Sequence, residues 1–234
     1  MLKIENTETY GWEAAIRGMR NPKNSWGRMD SKFDPLDLGE NDLQLAHQLA
    51  GAGPVHGKFM RMIIVTADIT APLYWWKEFD TYKVGTVADS CSTMHKIQAK
   101  EFTLEDFSVE HLVGIGDDAY HYDYPPEYLG EEYIPQESFN FDTCPGWIFR
   151  NVINVLNACR DKFNETKDKK YWWQMIQLLP TSYNQKRTVQ MNYAVLMNIY
   201  EYRRNHKLDE WHTFCDWIKG LPYSDLIIDS IQTK

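Results

Sequence analysis

Hydrophobic and polar residues alternate with two different periods along this chain, and each period predicts a different kind of secondary structure. In the stretch FMRMIIVTADI, at 59–69, β-branched residues recur at every second position, which predicts a buried strand. The strand is predicted to end at Ala71-Pro72, because proline has no backbone N–H to donate to a neighbouring strand.

Elsewhere, apolar residues recur every three or four positions, which places them on one face of a helix. Segments rich in Gly, Pro, Asn and Asp separate these stretches and predict loops. The predicted helices cover 10–20, 41–50, 73–83, 148–166, 169–179, 188–205 and 208–219. We therefore predict an α+β fold in which a small sheet is covered by several helices, in a single domain over 1–234.

Charge is distributed unevenly over the 234 residues. The net charge of −8 argues against a general nucleic-acid binder. Twelve of the 33 acidic residues lie between Glu101 and Phe149, where no Lys or Arg occurs, so the other residues carry 25 basic and 21 acidic side chains. This mildly basic remainder would suit a small anion. We predict an irregular acidic insert at about 101–146; a solvated loop without a role in binding is the alternative.

The sequence lacks the motifs of several common kinds of binding and catalytic site. Neither GxGxxG nor GxxxxGK[ST] occurs, so a Rossmann or P-loop nucleotide site has no support. HExxH and GxSxG are missing, the seven histidines are scattered and the four cysteines show no CxxC spacing, so we expect no metal site and reduced thiols. Without an apolar run of 18 residues or a signal-peptide pattern, we expect a cytoplasmic protein that binds no membrane and no nucleic acid.

The stretch TYKVGTVADSCSTMHK, at 81–96, combines hydroxyls, small residues and cations, and it follows the aromatic segment LYWW. Small residues let a ligand approach the backbone, and successive N–H groups with hydroxyls and a lysine form a phosphate cradle. A Ser/Thr-rich turn between helices is the alternative. Residue spacing by itself leaves both interpretations open.

Two blocks of the chain resemble the flavin-dependent thymidylate synthases. In that family a histidine-containing turn precedes a strand ending in Ala-Pro, a helix with Arg-Gln-Trp, and the signature R-H-R-x-x-S-x-N-E-x-S-x-R-Y. Here HGKFMRMIIVTADITAPLYWWKEF keeps this order, with Lys77-Glu78-Phe79 in place of Arg-Gln-Trp. The signature falls on YKVGTVADSCSTMH, with Asp89 for the asparagine and Ser92 for the second serine.

The second block, LLPTSYNQKRTVQMNYAVLMNIYEYRRN, is similar to the family's Leu-Pro, a later asparagine and a leucine-rich helix ending in arginine. The residues that match without a gap are Leu179-Pro180, Asn192, Leu196 and Arg203. The first two arginines and the histidine of the signature are replaced by Tyr82, Lys83 and Val84, its glutamate by Ser90, and its final Arg-Tyr by Met94-His95. The family's arginine two positions after the asparagine is Ala194 here.

The resemblance implies a small antiparallel sheet packed against several helices. It also implies a homotetramer that binds FAD at subunit interfaces and methylates dUMP reductively to dTMP, with NADPH as reductant and methylenetetrahydrofolate as carbon donor. In such a reaction the protein orients the flavin, holds the pyrimidine nucleotide and stabilises charge on the uracil. A non-catalytic nucleotide-binding or protein-interaction module on the same fold is the alternative.

With the resemblance, thirteen residues receive predicted roles. Ser92 is the predicted catalytic residue, which would polarise the pyrimidine. The predicted cofactor-binding residues are His56, Lys83 and Asn192. The predicted substrate-binding residues are Lys77, Glu78, Ser90, Lys186 and Arg187. The aromatic residues that would stack on flat rings are Tyr74, Trp75, Trp76 and Tyr82.

Several of these residues also have structural interpretations. Ser92 would be a turn cap, His56 a solvated turn residue and Lys186-Arg187 a surface pair. Asn192 falls inside the predicted helix 188–205, where an asparagine is unfavourable without a functional reason.

Three larger side chains likewise have alternatives that involve no ligand. Arg203 would interact with the dipole at the C-terminus of its helix. Trp75 and Trp76 would be core residues, which is the commoner place for tryptophan.

Overall fold

The computed structural model describes residues 2–115 and 144–232, so most of the predicted acidic insert, 116–143, lies outside the described residues. The chain divides into two compact units. We call them the sheet unit (Leu2–Cys91 with Gln185–Lys234) and the hairpin unit (Ser92–Asn184). The single domain over 1–234 stays a prediction.

The described residues form six strands and nine α-helices. The strands are β1 (Lys3–Tyr10), β2 (Lys32–Phe33), β3 (Leu36–Asp37), β4 (Ile64–Pro72), β5 (Val87–Ser90) and β6 (Asn184–Asn192). The helices are α1 (Trp12–Arg20), α2 (Glu40–Gly51), α3 (Leu73–Phe79), α4 (Thr93–Lys96), α5 (Cys144–Thr166), α6 (Lys169–Leu178), α7 (Tyr193–Arg203), α8 (Asp209–Lys219) and α9 (Asp225–Gln232).

A four-stranded sheet in the order β1-β4-β6-β5 forms the centre of the sheet unit. The β1–β4 and β5–β6 pairs are antiparallel, as is the separate β2–β3 pair. In β4, Val65, Ala67 and Ile69 are buried, whereas Thr66 and Asp68 on the alternate face are partly exposed. The period-two pattern therefore marks the core face, and the predicted α+β fold with a small antiparallel sheet is confirmed.

The predicted helix 188–205 is wrong over its first five residues. Residues 188–192 belong to β6, where Val189 and Met191 are buried and Thr188 and Gln190 are exposed. This alternation is the strand period, and the helix begins only at Tyr193. Predicted helix 73–83 is also shorter, ending at Phe79.

β4 and β6 each pass into a helix without an intervening residue. Pro72 ends β4 and Leu73 begins α3, and Asn192 ends β6 before Tyr193 begins α7. β4 and β6 are also neighbours in the sheet. The helices that carry Glu78 and Arg203 therefore start from adjacent strands.

An aromatic cluster fills the core beneath these junctions. Trp75, Trp76 and Trp211 are completely buried, and the Trp75 ring centroid lies 4.8 Å from that of Trp211 and 5.1 Å from that of Phe79. Fully burying side chains of this size stabilises a fold by roughly 2–3 kcal/mol each. The structural interpretation of Trp75 and Trp76 as core residues is confirmed, because neither ring is available to stack on a ligand.

A buried ion pair joins α1 to α2. Arg20 donates from Nε to Asp42 Oδ1 at 2.6 Å, and the exposed fraction of both side chains is 3% or less. Asp42 Oδ2 also accepts from the backbone N–H groups of Asp30 and Ser31 and from the Ser31 hydroxyl. These hydrogen bonds stabilise the charge of the Asp42 carboxylate, which burial removes from water.

The hairpin unit is built on α5 and α6, which confirm the helices predicted at 148–166 and 169–179. Leu156 and Met175 are fully buried between them, with Phe102 and Phe107 in the same cluster. No helix in the described part of the chain combines the length and apolar character needed to cross a membrane.

Candidate functional site

Glu78, at the end of α3, lies in a polar cluster with the end of α7. Its Oε2 atom accepts from Arg203 NH1 at 2.7 Å and from Trp211 Nε1 at 3.0 Å. His206 Nε2 lies 3.4 Å from the same oxygen. Arg203 Nε also donates to the Tyr82 hydroxyl at 2.8 Å. The predicted substrate-binding carboxylate is thus surrounded by donors of its own chain.

Aromatic rings fix the orientation of Arg203. Its guanidinium carbon lies 4.7 Å from the Trp211 ring centroid and 5.5 Å from that of Tyr82. The side chain is 18% exposed, so the cation–π contacts are partly shielded from water and gain strength. The sequence matches Arg203 to the family pattern and offers the helix dipole as its structural alternative, but it does not predict the contacts with Glu78, Tyr82 and Trp211.

Ser90 and Arg187, both predicted to bind substrate, are brought together. They are register partners of the antiparallel β5–β6 pair, so their side chains lie on the same face of the sheet. Arg187 NH1 donates to Asp80 Oδ1 at 2.7 Å, and its guanidinium carbon lies 4.2 Å from the Trp76 ring centroid. Asp80 is a residue that no sequence motif singled out.

Lys186 lies on the opposite face of β6 from Arg187. Its Nζ is 3.1 Å from Asp68 Oδ2, which also accepts from Asn6 Nδ2 at 3.0 Å. Thr188 Oγ1 donates to Asp68 Oδ1 at 2.6 Å. The hydrogen bonds from Thr188 and Asn6, followed by the Lys186 ammonium, lower the pKa of Asp68 to about 2. Lys186 is thus part of a network joining β1, β4 and β6.

Asn192 is the N-cap of α7 and does not lie inside a helix. Its side-chain oxygen accepts from the backbone N–H of Val195 at 3.0 Å, which satisfies one of the free donors of the first turn. Gly85 packs against the amide, since a Cβ atom there would lie 2.9 Å from Asn192 Nδ2. Lys83, two residues before Gly85, is exposed. The two predicted cofactor-binding residues therefore lie on segments in contact.

Lys77 and His56 are exposed residues of the sheet unit. Lys77 lies on α3 one residue before Glu78, and His56 precedes a short 3-10 helix at Gly57–Arg61. Their roles stay predictions.

Ser92 belongs to the hairpin unit and is exposed. It is the N-cap of α4, where its Oγ accepts from the backbone N–H of His95 at 3.2 Å. The turn-cap interpretation is confirmed, and the catalytic role of the hydroxyl stays a prediction.

A surface depression of about 510 Å³ borders the Glu78 cluster at His206. Arg204 and Lys219 contribute cations to its lining. Burial raises the pKa of its one thiol, Cys215, to about 11, so that thiol is protonated at neutral pH and is a poor nucleophile. Among the described residues, no group of three or more His, Cys, Asp or Glu side chains is placed to hold a metal ion.

No family model and no curated protein sequence matches the chain. Solved structures do match. Thymidylate synthase X from Helicobacter pylori, solved with FAD and dUMP, aligns over 99% of this chain and 100% of its own, with 14% identity and a TM-score of 0.66. This chain has the thymidylate synthase X fold. The resemblance seen in the two sequence blocks is therefore confirmed at the level of the fold.

The UMP/dUMP methylase PolB from Streptomyces cacaoi is a second structural neighbour. With 5-Br dUMP bound, it covers 100% of this chain and 97% of its own, with 13% identity and a TM-score of 0.58. With 5-Br UMP bound, identity is 11% and the TM-score 0.62. Both of these structural neighbours were solved with a pyrimidine nucleotide bound.

Proposed function

We propose that this protein is a divergent flavin-dependent enzyme that methylates a pyrimidine nucleotide, with dUMP converted to dTMP. FAD would be the cofactor, and NADPH and methylenetetrahydrofolate the co-substrates. The observation that carries the proposal is likeness over the whole chain to two proteins solved with uridine nucleotides. A homotetramer in the cytoplasm belongs to the same proposal.

The side chains present suit these ligands. The phosphates of FAD and a nucleotide need cations, and Lys77 and Lys83 are exposed cations flanking the Glu78 cluster. The uracil ring needs fixed donors and acceptors, which Arg203 and Glu78 provide in an orientation held by Trp211. A bound reduced flavin would supply hydride; this chain would bind the nucleotide, orient it and exclude water.

One observation favours the alternative, a non-catalytic nucleotide-binding or interaction module. Arg187 and Arg203 are already paired with carboxylates of their own chain, Asp80 and Glu78. An enzyme of this class would need these arginines, or the exposed lysines, to turn towards a ligand. The two proposals differ in whether the protein takes up flavin.

The first experiment is a visible absorption spectrum of the purified protein, before and after FAD is added, combined with gel filtration. Flavin bands that elute with a tetramer would support the enzyme, and methyl transfer to dUMP and to UMP would then be assayed. A colourless protein that binds dUMP would support the module. A protein that binds neither would contradict both.

Variants of Ser92 separate catalysis from capping. Ser92→Asn keeps an N-cap acceptor but has no hydroxyl, whereas Ser92→Thr keeps both. If the hydroxyl acts on the pyrimidine, we expect Asn and Ala variants to lose at least about 100-fold in turnover while the Thr variant keeps most of it. Full activity of Ser92→Asn would remove the hydroxyl from the mechanism.

A further inference from the structure

Arg187 is held more rigidly than an ion pair at a protein surface requires. Gln185 is 9% exposed; its Oε1 accepts from Arg187 Nε at 3.0 Å, and its Nε2 donates to the Cys91 carbonyl at 2.9 Å. Trp76, whose ring lies against the guanidinium, is itself fixed by a 2.9 Å bond from Nε1 to the Gln185 carbonyl. The plane of the guanidinium is therefore set before any ligand arrives.

The outer edge of this guanidinium is only partly used. Asp80 bonds to NH1 alone, and within the described residues the NH2 group has no hydrogen-bond partner. The Asp80 side chain is 48% exposed and lies at the C-cap of α3, so it can rotate into water. The Arg187 side chain is 14% exposed, so solvent reaches this single-bonded pair, and screens it, from the Asp80 side.

Ser90 adds a second free donor on the same face. It is the register partner of Arg187, and side chains opposite one another in an antiparallel pair have Cβ atoms roughly 5 Å apart. In the part of the chain that the structure describes, its hydroxyl makes no hydrogen bond. β5 is an edge strand, and all four of its residues are exposed, so the face is open to a ligand.

We infer that Arg187 and Ser90 form a phosphate site and that Asp80 occupies Arg187 until a phosphate replaces it. A phosphate monoester or pyrophosphate offers two oxygens to the guanidinium fork and one to the hydroxyl, whereas Asp80 engages a single N–H. The inference rests on the proposed function for the source of the phosphate, which is the nucleotide or the flavin dinucleotide.

Two substitutions that should change the affinity for phosphate in opposite directions test the inference. Arg187→Gln should weaken binding of the phosphate compound by about 10- to 100-fold, the loss expected for charge-assisted hydrogen bonds. Asp80→Asn should strengthen it by about two- to tenfold, because it removes both a competitor and a repelling charge. Arg17→Gln is the control, since it removes the arginine of another Arg–carboxylate pair, the more exposed one with Glu13.

The ligands used in calorimetry identify the source of the phosphate. If Arg187→Gln weakens the binding of dUMP but not of deoxyuridine, the site binds the phosphate of the nucleotide. If it weakens the binding of FAD but not of riboflavin, the site binds the phosphates of the flavin dinucleotide. Inorganic pyrophosphate is the third probe. If pyrophosphate binds through Arg187 while neither dUMP nor FAD binds, the proposed function is wrong but the inferred phosphate site is supported.

Weaker or unchanged binding of every phosphate compound by Asp80→Asn would overturn the inference. Arg187 would then be a structural residue, and both variants would lower only the thermal midpoint. Asp80→Asn leaves the Arg187–Gln185–Trp76 contacts in place, so the inference can still be rejected if Arg187→Gln does not fold.

Discussion

Single side chains in this protein differ greatly in how much their charge matters for stability. Arg20 and Asp42 form a pair with exposed fractions of 3% and 0%, whereas Arg17 and Glu13 pair at the surface with 57% and 64%. Removing one partner of a buried pair leaves an uncompensated charge, but an exposed pair is solvated either way.

We expect Asp42→Asn to lower the free energy of unfolding by about 3–5 kcal/mol and Glu13→Gln to change it by less than about 0.5 kcal/mol. Urea denaturation followed by circular dichroism measures both. Equal effects of the two substitutions would show that burial of the Arg20–Asp42 pair carries no special weight.

Asp68 makes the sheet sensitive to acid. Its pKa of about 2 in the folded protein is below the ordinary 3.8, so its bonded carboxylate stabilises the fold above about pH 4. That contribution is lost as the pH falls from about 4 towards 2. We expect the difference in unfolding free energy between wild type and Asp68→Asn to shrink over this interval. A difference independent of pH would contradict the lowered pKa.

The sequence predicted which residue types the site contains better than it predicted their partners. Glu78 and Arg187 were selected from motifs, but their partners Arg203 and Asp80 lie 125 and 107 positions away along the chain. No local pattern encodes such distances. For Trp75 the sequence offered both a stacking and a core interpretation, because a tryptophan that stacks on a ligand and one in the core can have the same neighbours in sequence.

At the scale of elements, the turn between β1 and α1 shows how tightly strands and helices are joined. Gly11 has φ of +82°, and a Cβ atom there would lie 2.1 Å from the Met62 carbonyl oxygen. Backbone cannot yield as a flexible side chain does, so only glycine fits this position. Gly51, by contrast, has nothing within 4 Å of the place where a Cβ atom would lie.

We expect Gly11→Ala to destabilise the protein by about 2 kcal/mol or more, through positive φ and the clash with Met62. Gly51→Ala should leave stability unchanged or raise it by up to about 1 kcal/mol, since alanine is the better helix former. Thermal unfolding of both variants makes the comparison. Similar destabilisation by both would contradict the proposed close contact at Gly11.

Asn192 allows a capping role to be separated from a ligand role. Asn192→Asp keeps the acceptor for Val195 N–H, whereas Asn192→Ala loses it and should cost about 1 kcal/mol. If the amide also donates to the cofactor, Asn192→Asp should keep the stability of wild type but bind FAD about tenfold less tightly. Unchanged FAD affinity in the Asp variant would leave Asn192 as a cap only.

Long helices with clear amphipathic spacing were predictable, and short polar strands were not. The helices at 41–50 and 148–166 were predicted because apolar residues recur every three or four positions along one face. β1 and β5 were missed, since their polar sequences KIENTETY and VADS carry almost no apolar alternation. β6 resembled a helix because its buried residues, Val189 and Met191, run directly into the apolar face of α7.

At the scale of the whole molecule, the chain shares a fold with thymidylate synthase X at low sequence identity. At 14% identity the chain aligns with all of thymidylate synthase X, although the signature arginines and histidine are replaced. Buried positions can exchange among apolar residues of similar volume and keep the fold, but a binding arginine cannot be exchanged without loss. The function of such a fold therefore depends on the side chains of its site.

β4 passes directly into α3, and β6 directly into α7. These two junctions are therefore places where the chain cannot accept an inserted residue. One extra residue at such a junction would turn the following helix by about 100° about its own axis, since a turn takes 3.6 residues. Glu78 would then point away from Arg203, and the aromatic rings of α3 would leave the core. Labels and tags belong instead in the exposed turn between β2 and β3, because natural insertions and deletions collect in such turns.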